Sequence, residues 1–209
     1  KKKVKIIANH LGETLAQNKL GKKLVEVKPR VNLLKKLSKQ KKLEKLRYHQ
    51  TNMGGSIHSD GPQLKKPPNY VLMACLNQAN KGGYSVITHI GPIYNFLKKK
   101  KPNYLRILKN NFLFEKRGFN HSNKNIFAKP IFEKRNNFFR FRYLREYIET
   151  AYKLKKIKLK DNQIKALNFL DKAILNNRFQ KKFKLNKGDV IILNNNILAH
   201  GRSGFSLSL

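Results

Sequence analysis

The sequence predicts an α+β or mainly β fold, a barrel of short strands with flanking helices. Short β-prone runs recur between Gly, Pro and Asn punctuation, one segment keeps a clear helical period, and a long polar loop precedes the strands. Many short strands with interrupting helices favour this class over a parallel doubly wound sheet. Lys1 to Lys3 followed by Val4 to Ile7 is too short an apolar stretch for a signal peptide and resembles the inside of a structural element. Leu33, Leu34, Leu37, Leu43 and Leu46 among many Lys predict an amphipathic helix with a solvated basic face. From Tyr48 to Pro68 the Gly, Ser, Asn, Pro and His content marks a loop. Strands are expected over Tyr70 to Leu76 and Tyr84 to Thr88, separated by Lys81-Gly82-Gly83. Three more follow, over Phe112 to Glu115, Ile126 to Phe132 and Phe138 to Tyr143, divided by Gly118, Pro130 and Asn136-Asn137. Asp161 is placed to cap a helix reaching about Leu175, with Ile164, Leu167, Leu170 and Ile174 at helical spacing. Phe183 to Leu185, the turn Asn186-Lys187-Gly188 and Asp189 to Leu193 read as a closing hairpin.

At 209 residues the chain fits one domain with a real core. Its 40% hydrophobic content, with 13 Phe and 8 Tyr, excludes a disordered basic tail. The formal net charge of +36 draws attention to nucleic acid or an anionic membrane, since phosphates attract Lys and Arg. That excess is spread along the whole chain with Asn, Ile and Phe, so it carries little weight as a functional signal. The single cysteine, Cys75, excludes an internal disulfide framework and a multi-Cys zinc site. With Met73, Ala74 and Leu76 around it, Cys75 reads as a buried structural thiol, compatible with a reducing, cytoplasmic setting. No apolar run approaches the roughly 20 residues of a membrane span.

Two places are dense in chemistry. In Ile57-His58-Ser59-Asp60-Gly61-Pro62, an extended backbone would project His58 and Asp60 to the same side, where both could grip one ion. The second is the run from Gly188 to Arg202, an apolar strand followed by His200. Two His and one carboxylate with vacant positions form the facial arrangement of non-haem Fe(II) oxygenases. Either half alone is weak, because loop His and Asp more often make caps and turns.

Taken together, these segments resemble the taurine dioxygenase-like (TauD/TfdA) family. The resemblance rests on His58-Ser-Asp-Gly-Pro, Pro67-Pro68, Ala74-Cys75-Leu76 and Gly82-Gly83-Tyr84-Ser85, then Gly188-Asp-Val-Ile-Ile-Leu-Asn-Asn with His200-Gly201-Arg202 and Phe205. It implies a double-stranded β-helix, or jelly roll, that uses O₂ and 2-oxoglutarate to oxidise a C–H bond of a small-molecule substrate, with release of succinate and CO₂. It also implies His58, Asp60 and His200 as Fe(II) ligands, and Ser85 in place of the family's Thr as a hydrogen-bond donor to 2-oxoglutarate. Two neutral imidazoles and one carboxylate leave the ferrous site one positive charge, which a dianionic 2-oxoacid completes.

Substrate contacts are expected at Asn52 and Gln63, which flank the first motif, and at Arg142 in the alternating run Phe138 to Ile148. If Phe139, Phe141 and Tyr143 face one side of a strand, Arg140 and Arg142 face the other. The family's Arg for the far carboxylate of 2-oxoglutarate lies beyond the distal His. Arg202 is too near His200 to be assigned that role, which leaves Arg140 or Arg142 if the chain binds the co-substrate unaided. The chain is accordingly expected to be one domain over 1–209 lacking parts of both ends: a helical or strand region over 1–47, and a jelly-roll core over 48–209 with a helical insertion at about 161–176. A homo-oligomer is open, and no specific nucleic-acid partner is expected. Two rivals stand beside the oxygenase reading. One is a basic nucleic-acid-binding module stacking bases on Phe138 to Tyr147, for which no RNP, zinc-finger or helix-turn-helix signature exists. The other is a jelly-roll remnant without catalysis.

Overall fold

A computed structural model of the chain describes residues 2–17, 21–28, 54–116, 126–136 and 138–206. The helix expected over 33–46 and the candidate Asn52 lie outside those residues. The described elements run α1 (Lys2–Leu11), β1 (Tyr70–Ala74), β2 (Ser85–His89), α2 (Ile90–Lys100), α3 (Pro102–Leu108), β3 (Asn111–Glu115), β4 (Ile126–Pro130), β5 (Phe132–Arg135) and β6 (Phe138–Phe141). They continue with α4 (Arg145–Leu154), α5 (Asp161–Ile174), a 3-10 turn (Asn177–Phe179), β7 (Gln180–Phe183), β8 (Val190–Asn194) and β9 (Leu198–Arg202).

Every described strand pairing is antiparallel. β1 pairs β8, β2 lies between β7 and β9, and β3–β4 and β5–β6 form two-stranded sheets. The α+β class expected from the sequence therefore holds. The closing hairpin does not: β7 joins β2 while β8 joins β1, so the two strands belong to different sheets. The turn itself forms, with Asp189 N–H donating to Asn186 O at 3.0 Å and Gly188 at φ 95°. Its exit is diverted because Cys75 takes both edges, accepting from Gly188 N–H and donating to Asp189 O, each at 2.9 Å. The Cys75 thiol, half-buried rather than buried, points at Leu185 O at 3.6 Å.

The strand expected over Ile126 to Phe132 divides at Ile131. Pro130 has no N–H to continue a ladder, and the fully buried Ile131 turns its own N–H to Leu108 O at 3.1 Å. Between β5 and β6 the chain turns at Asn136, whose φ of 47° lies in the left-handed region that Asn tolerates. Asp161 is the first residue of α5 rather than its cap: Lys160 holds the N-cap position, and its N–H donates to Gln163 Oε1 at 3.0 Å. Asp161 then acts through its charge in the first turn, near the positive end of the helix dipole.

The helices are held by one apolar face each. Ile90, Ile93, Tyr94 and Leu97 of α2 recur at the helical spacing and are buried, while Lys98 to Lys100 lie at its C-terminal end, where cations complement the dipole. Pro102 opens α3 at once, its missing N–H costing nothing in the first turn. On α5, Ala166, Leu167, Leu170, Ala173 and Ile174 are buried, and α3 packs against that helix. α4 covers β3 with Ile148 and Ala151. Ile131 just before β5 and Phe132 at its start, with Phe141 at the end of β6 and Tyr143 just beyond it, close the core. Phe132 sits with its ring 5.4 Å from both Tyr94 and Phe141, spacings at which aromatic pairs attract. Phe132→Ala should cost about 3–5 kcal/mol, read as a lower urea midpoint at unchanged m-value. Leu175→Ala, at a side chain 62% exposed, should change stability by less than about 0.5 kcal/mol.

Candidate metal centre

Residues 54–60 run beside β9 in an extended conformation. Gly55 N–H donates to Arg202 O at 3.1 Å, and His58 and His200 exchange both backbone hydrogen bonds, at 2.9 and 2.8 Å. Residues that exchange both bonds in an antiparallel pair project to the same face. The two imidazoles consequently meet, with ring centroids 4.8 Å apart. Gly201 permits this approach, because a Cβ there would lie 3.2 Å from Ile57 Cγ1. Two residues beyond His58, Asp60 returns to the same side, with Oδ1 3.4 Å from His58 Nε2 and 3.9 Å from His200 Nε2. One donor atom from each of the three lies within 4.8 Å of the others. The His58 and His200 side chains are 13% and 9% exposed and that of Asp60 is 42% exposed, so the carboxylate stands at the solvent side with the imidazoles behind it.

The backbone around the carboxylate is fixed from two sides. Ser59, 1% exposed, donates its N–H to Tyr143 O at 3.0 Å, while its Oγ accepts from Tyr143 N–H at 2.9 Å. Tyr143 is anchored in turn by its hydroxyl on Asp171, which also accepts from Arg145 Nη1 at 3.0 Å. Across the turn, Asn195 Oδ1 accepts from Asp60 N–H at 2.8 Å and Asn195 Nδ2 donates to Asp60 O at 2.9 Å. Asn195 is the residue sequence reasoning missed. Its only signal is the Asn194-Asn195-Asn196 run just before β9, a residue type that bonds backbone in turns.

The other expected site residues fall in different places. Ser85 on β2 pairs with Arg202, and Ile87 pairs with His200, so Ser85 and Arg202 share the sheet face that carries His200. Gln63 is buried in the turn after Asp60, its Oε1 without a hydrogen-bond partner among the described residues. Arg142 is buried, and its Nη1 donates to Leu64 O at 2.8 Å, which ties that guanidinium to the turn after the motif. Burial, reinforced by the charge of Arg140 and partly opposed by Glu133, brings its pKa down to about 10. Arg140 donates to Asn196 Oδ1 at 2.9 Å and Asn69 Oδ1 at 3.0 Å. Of the rings proposed as a base-stacking platform, Phe141 and Tyr143 are core residues and Phe139 packs edge-on against Tyr94.

Electrostatics set the two imidazoles apart. Burial opposes a charge on His58, but the hydrogen bond and charge of Asp60, with Ser56 O, leave its pKa above the ordinary value. His58 Nδ1 is 2.8 Å from Ser56 O, which places a proton on Nδ1 and leaves Nε2 as the nitrogen facing Asp60. His200 is buried more deeply, and burial brings its pKa down to about 4, with Asp60 opposing and His58 adding to the fall. A neutral imidazole is the form that binds a metal. The sign of the stability effect follows from the depressed value. As pH falls from about 6.5 toward 4, the unfolded chain takes up a proton that folded His200 refuses, so the folded state loses stability. His58 works in the opposite sense, contributing stability that is full below its unfolded pKa and lost as pH rises through its raised value. His200→Asn should therefore show a smaller drop in Tm between pH 7 and pH 4.5 than the parent; equal drops would remove His200 from this linkage.

Known proteins resemble the chain over most of its length. Residues 8–207 match the profile of the family described as taurine catabolism dioxygenase TauD, TfdA. The gamma-butyrobetaine dioxygenases of Homo sapiens and Pongo abelii are each 28% identical over 155 residues, covering 72% of this chain and 40% of theirs. Among solved structures, an asparagine oxygenase in complex with Fe(II), a hydroxyasparagine and succinate superposes with a TM-score of 0.61 at 14% identity, over 79% of this chain and 49% of its own. The non-haem iron oxygenase OrfP, in complex with Fe and alpha-ketoglutaric acid, gives 0.57 at 12% identity, over 79% and 49%. The chain thus spans about half, or less, of the length of these relatives. Its sequence match runs almost end to end and its backbone follows the same oxygenase fold, so the chain belongs to the TauD/TfdA family.

Proposed function

We propose that the chain carries the core of an Fe(II)- and 2-oxoglutarate-dependent dioxygenase, a jelly roll that oxidises a C–H bond of a small molecule and releases succinate and CO₂. The observation that carries this reading is the convergence of His58, Asp60 and His200 on one solvent-facing point. The donor set fits the metal: two imidazole nitrogens and one carboxylate oxygen suit Fe(II) and leave positions open for other ligands. When bound there, iron supplies the redox chemistry by which O₂ and 2-oxoglutarate oxidise the substrate. The protein's part is to present the donors. Ser56 O holds the His58 proton on Nδ1, burial keeps His200 neutral, and the half-exposed Asp60 leaves the approach from solvent open.

Ser85 is proposed to donate its hydroxyl to the 2-oxoglutarate carboxylate, supported by its place on the His200 face of the β2–β9 pair. Gln63 is proposed to meet the substrate, supported by a buried amide oxygen available to a donor. An amino acid-like or betaine-like substrate is supported by the names of the asparagine oxygenase and gamma-butyrobetaine dioxygenase relatives.

The test is anaerobic addition of Fe(II) and 2-oxoglutarate, which should raise the visible charge-transfer absorption of a chelated complex. His58→Ala, Asp60→Ala and His200→Ala should each abolish that band and 2-oxoglutarate turnover while far-UV circular dichroism is retained. Asp60→Glu, one methylene longer, should weaken the band because the carboxylate overshoots the two imidazoles. A parent-strength band in any of the alanine variants contradicts the assignment. A salt-dependent gel shift on RNA or DNA without any such band would favour the nucleic-acid rival instead.

A further inference from the structure

We propose that Asn195 is the positioning residue of this centre: its side-chain amide fixes the Asp60 peptide, and with it the carboxylate, against the strand that carries His200. The inference rests on the metal reading above and extends it to a residue outside the ligand set. Asp60 belongs to no strand or helix, and its side chain is 42% exposed. The place from which its carboxylate reaches the imidazoles is therefore set by the backbone at residue 60.

That backbone is held on both of its hydrogen-bonding groups by one side chain. Asn195 Oδ1 accepts from Asp60 N–H at 2.8 Å, and Nδ2 donates to Asp60 O at 2.9 Å and to Pro68 O at 2.8 Å. Asn195 is itself only 3% exposed, and its own N–H donates to Asn69 O at 2.8 Å. The position needs one acceptor and two donors within a short, planar group, which an Asn amide supplies. Asp has the acceptor but neither donor, and Ala has none. Asn195 lies between β8 and β9, so the same turn that delivers His200 also sets Asp60. Ser59, locked to Tyr143, holds the preceding residue from the other side. Misplacing the carboxylate relative to the two imidazoles should weaken the metal site directly.

A loop-closing role alone would lower stability and leave the affinity of the folded protein for metal unchanged. Co(II) is the probe, because its visible absorption reports both affinity and ligand geometry. In Asn195→Ala, Co(II) affinity measured on protein shown to be folded by circular dichroism should fall about 10–100-fold, the usual cost of removing a partner that orients a ligand, with an altered spectrum. Asn195→Asp keeps the size and the bond from Asp60 N–H but sets an oxygen against two carbonyls, and it should weaken Co(II) in the same direction if the alanine variant does not fold. Asn196→Ala is the control. Asn196 sits in the same turn but bonds Arg140 and Asn69, so its loss should leave affinity at the parent value. Parent-like affinity and spectrum in a folded Asn195 variant would overturn the proposal while leaving the metal reading in place. A parent chain that binds neither Co(II) nor Fe(II) would overturn both, and that result is visible before any variant is compared.

Discussion

The pair of backbone hydrogen bonds between His58 and His200 is the constraint on which the centre depends. It joins the loop before β1 to the last described strand, and the geometry of an antiparallel pair then puts both imidazoles on one face. Asp60 follows from strand periodicity, since it stands two residues from His58. The surrounding structure serves that pairing. The glycine at 201 lets the two segments approach, and the turn at 194–196 delivers β9 in register. β2 holds the other edge of β9, with Ile87 opposite His200.

The centre is also a place where charge is arranged rather than merely accumulated. The +36 surplus lies in Lys and Arg, yet the three converging groups are two imidazoles and a carboxylate. Two of the arginines are tied to polar partners: Arg142 to the carbonyl of Leu64, Arg140 to Asn69 and Asn196. Arg145, with Asp171, anchors the Tyr143 that grips Ser59. The basic side chains thus act as structural ties as well as solvated surface, and the exposed Lys98 to Lys100 at the end of α2 complement a helix dipole.

Much of this was legible in the residues, for identifiable reasons. The His58 and Asp60 spacing has one simple geometric meaning in extended chain, and the structure gives it that meaning. Period-two and period-3.6 patterns located β3, β6 and α5. The pairing of strands was not legible, because it is decided by distant partners: Asn186 to Asp189 makes the local turn that the sequence suggests, while Cys75 separates its two arms into different sheets. Helices α2 and α4 were hidden for another reason. Aromatic and β-branched residues such as Ile90, Ile93, Tyr94, Tyr147 and Ile148 have weak helical preference, and packing against the core decides their conformation. Asn195 was illegible because an amide gripping a peptide across the turn leaves no periodic trace.

The family to which the chain belongs makes the centre's chemistry a specific claim about three atoms. The most direct measurement is anomalous X-ray diffraction at the iron edge from crystals of this chain loaded with Fe(II) without oxygen. A single strong peak bounded by His58 Nε2, Asp60 Oδ1 and His200 Nε2 is predicted. A well-ordered crystal with no peak there, or with iron held by other residues, would contradict it.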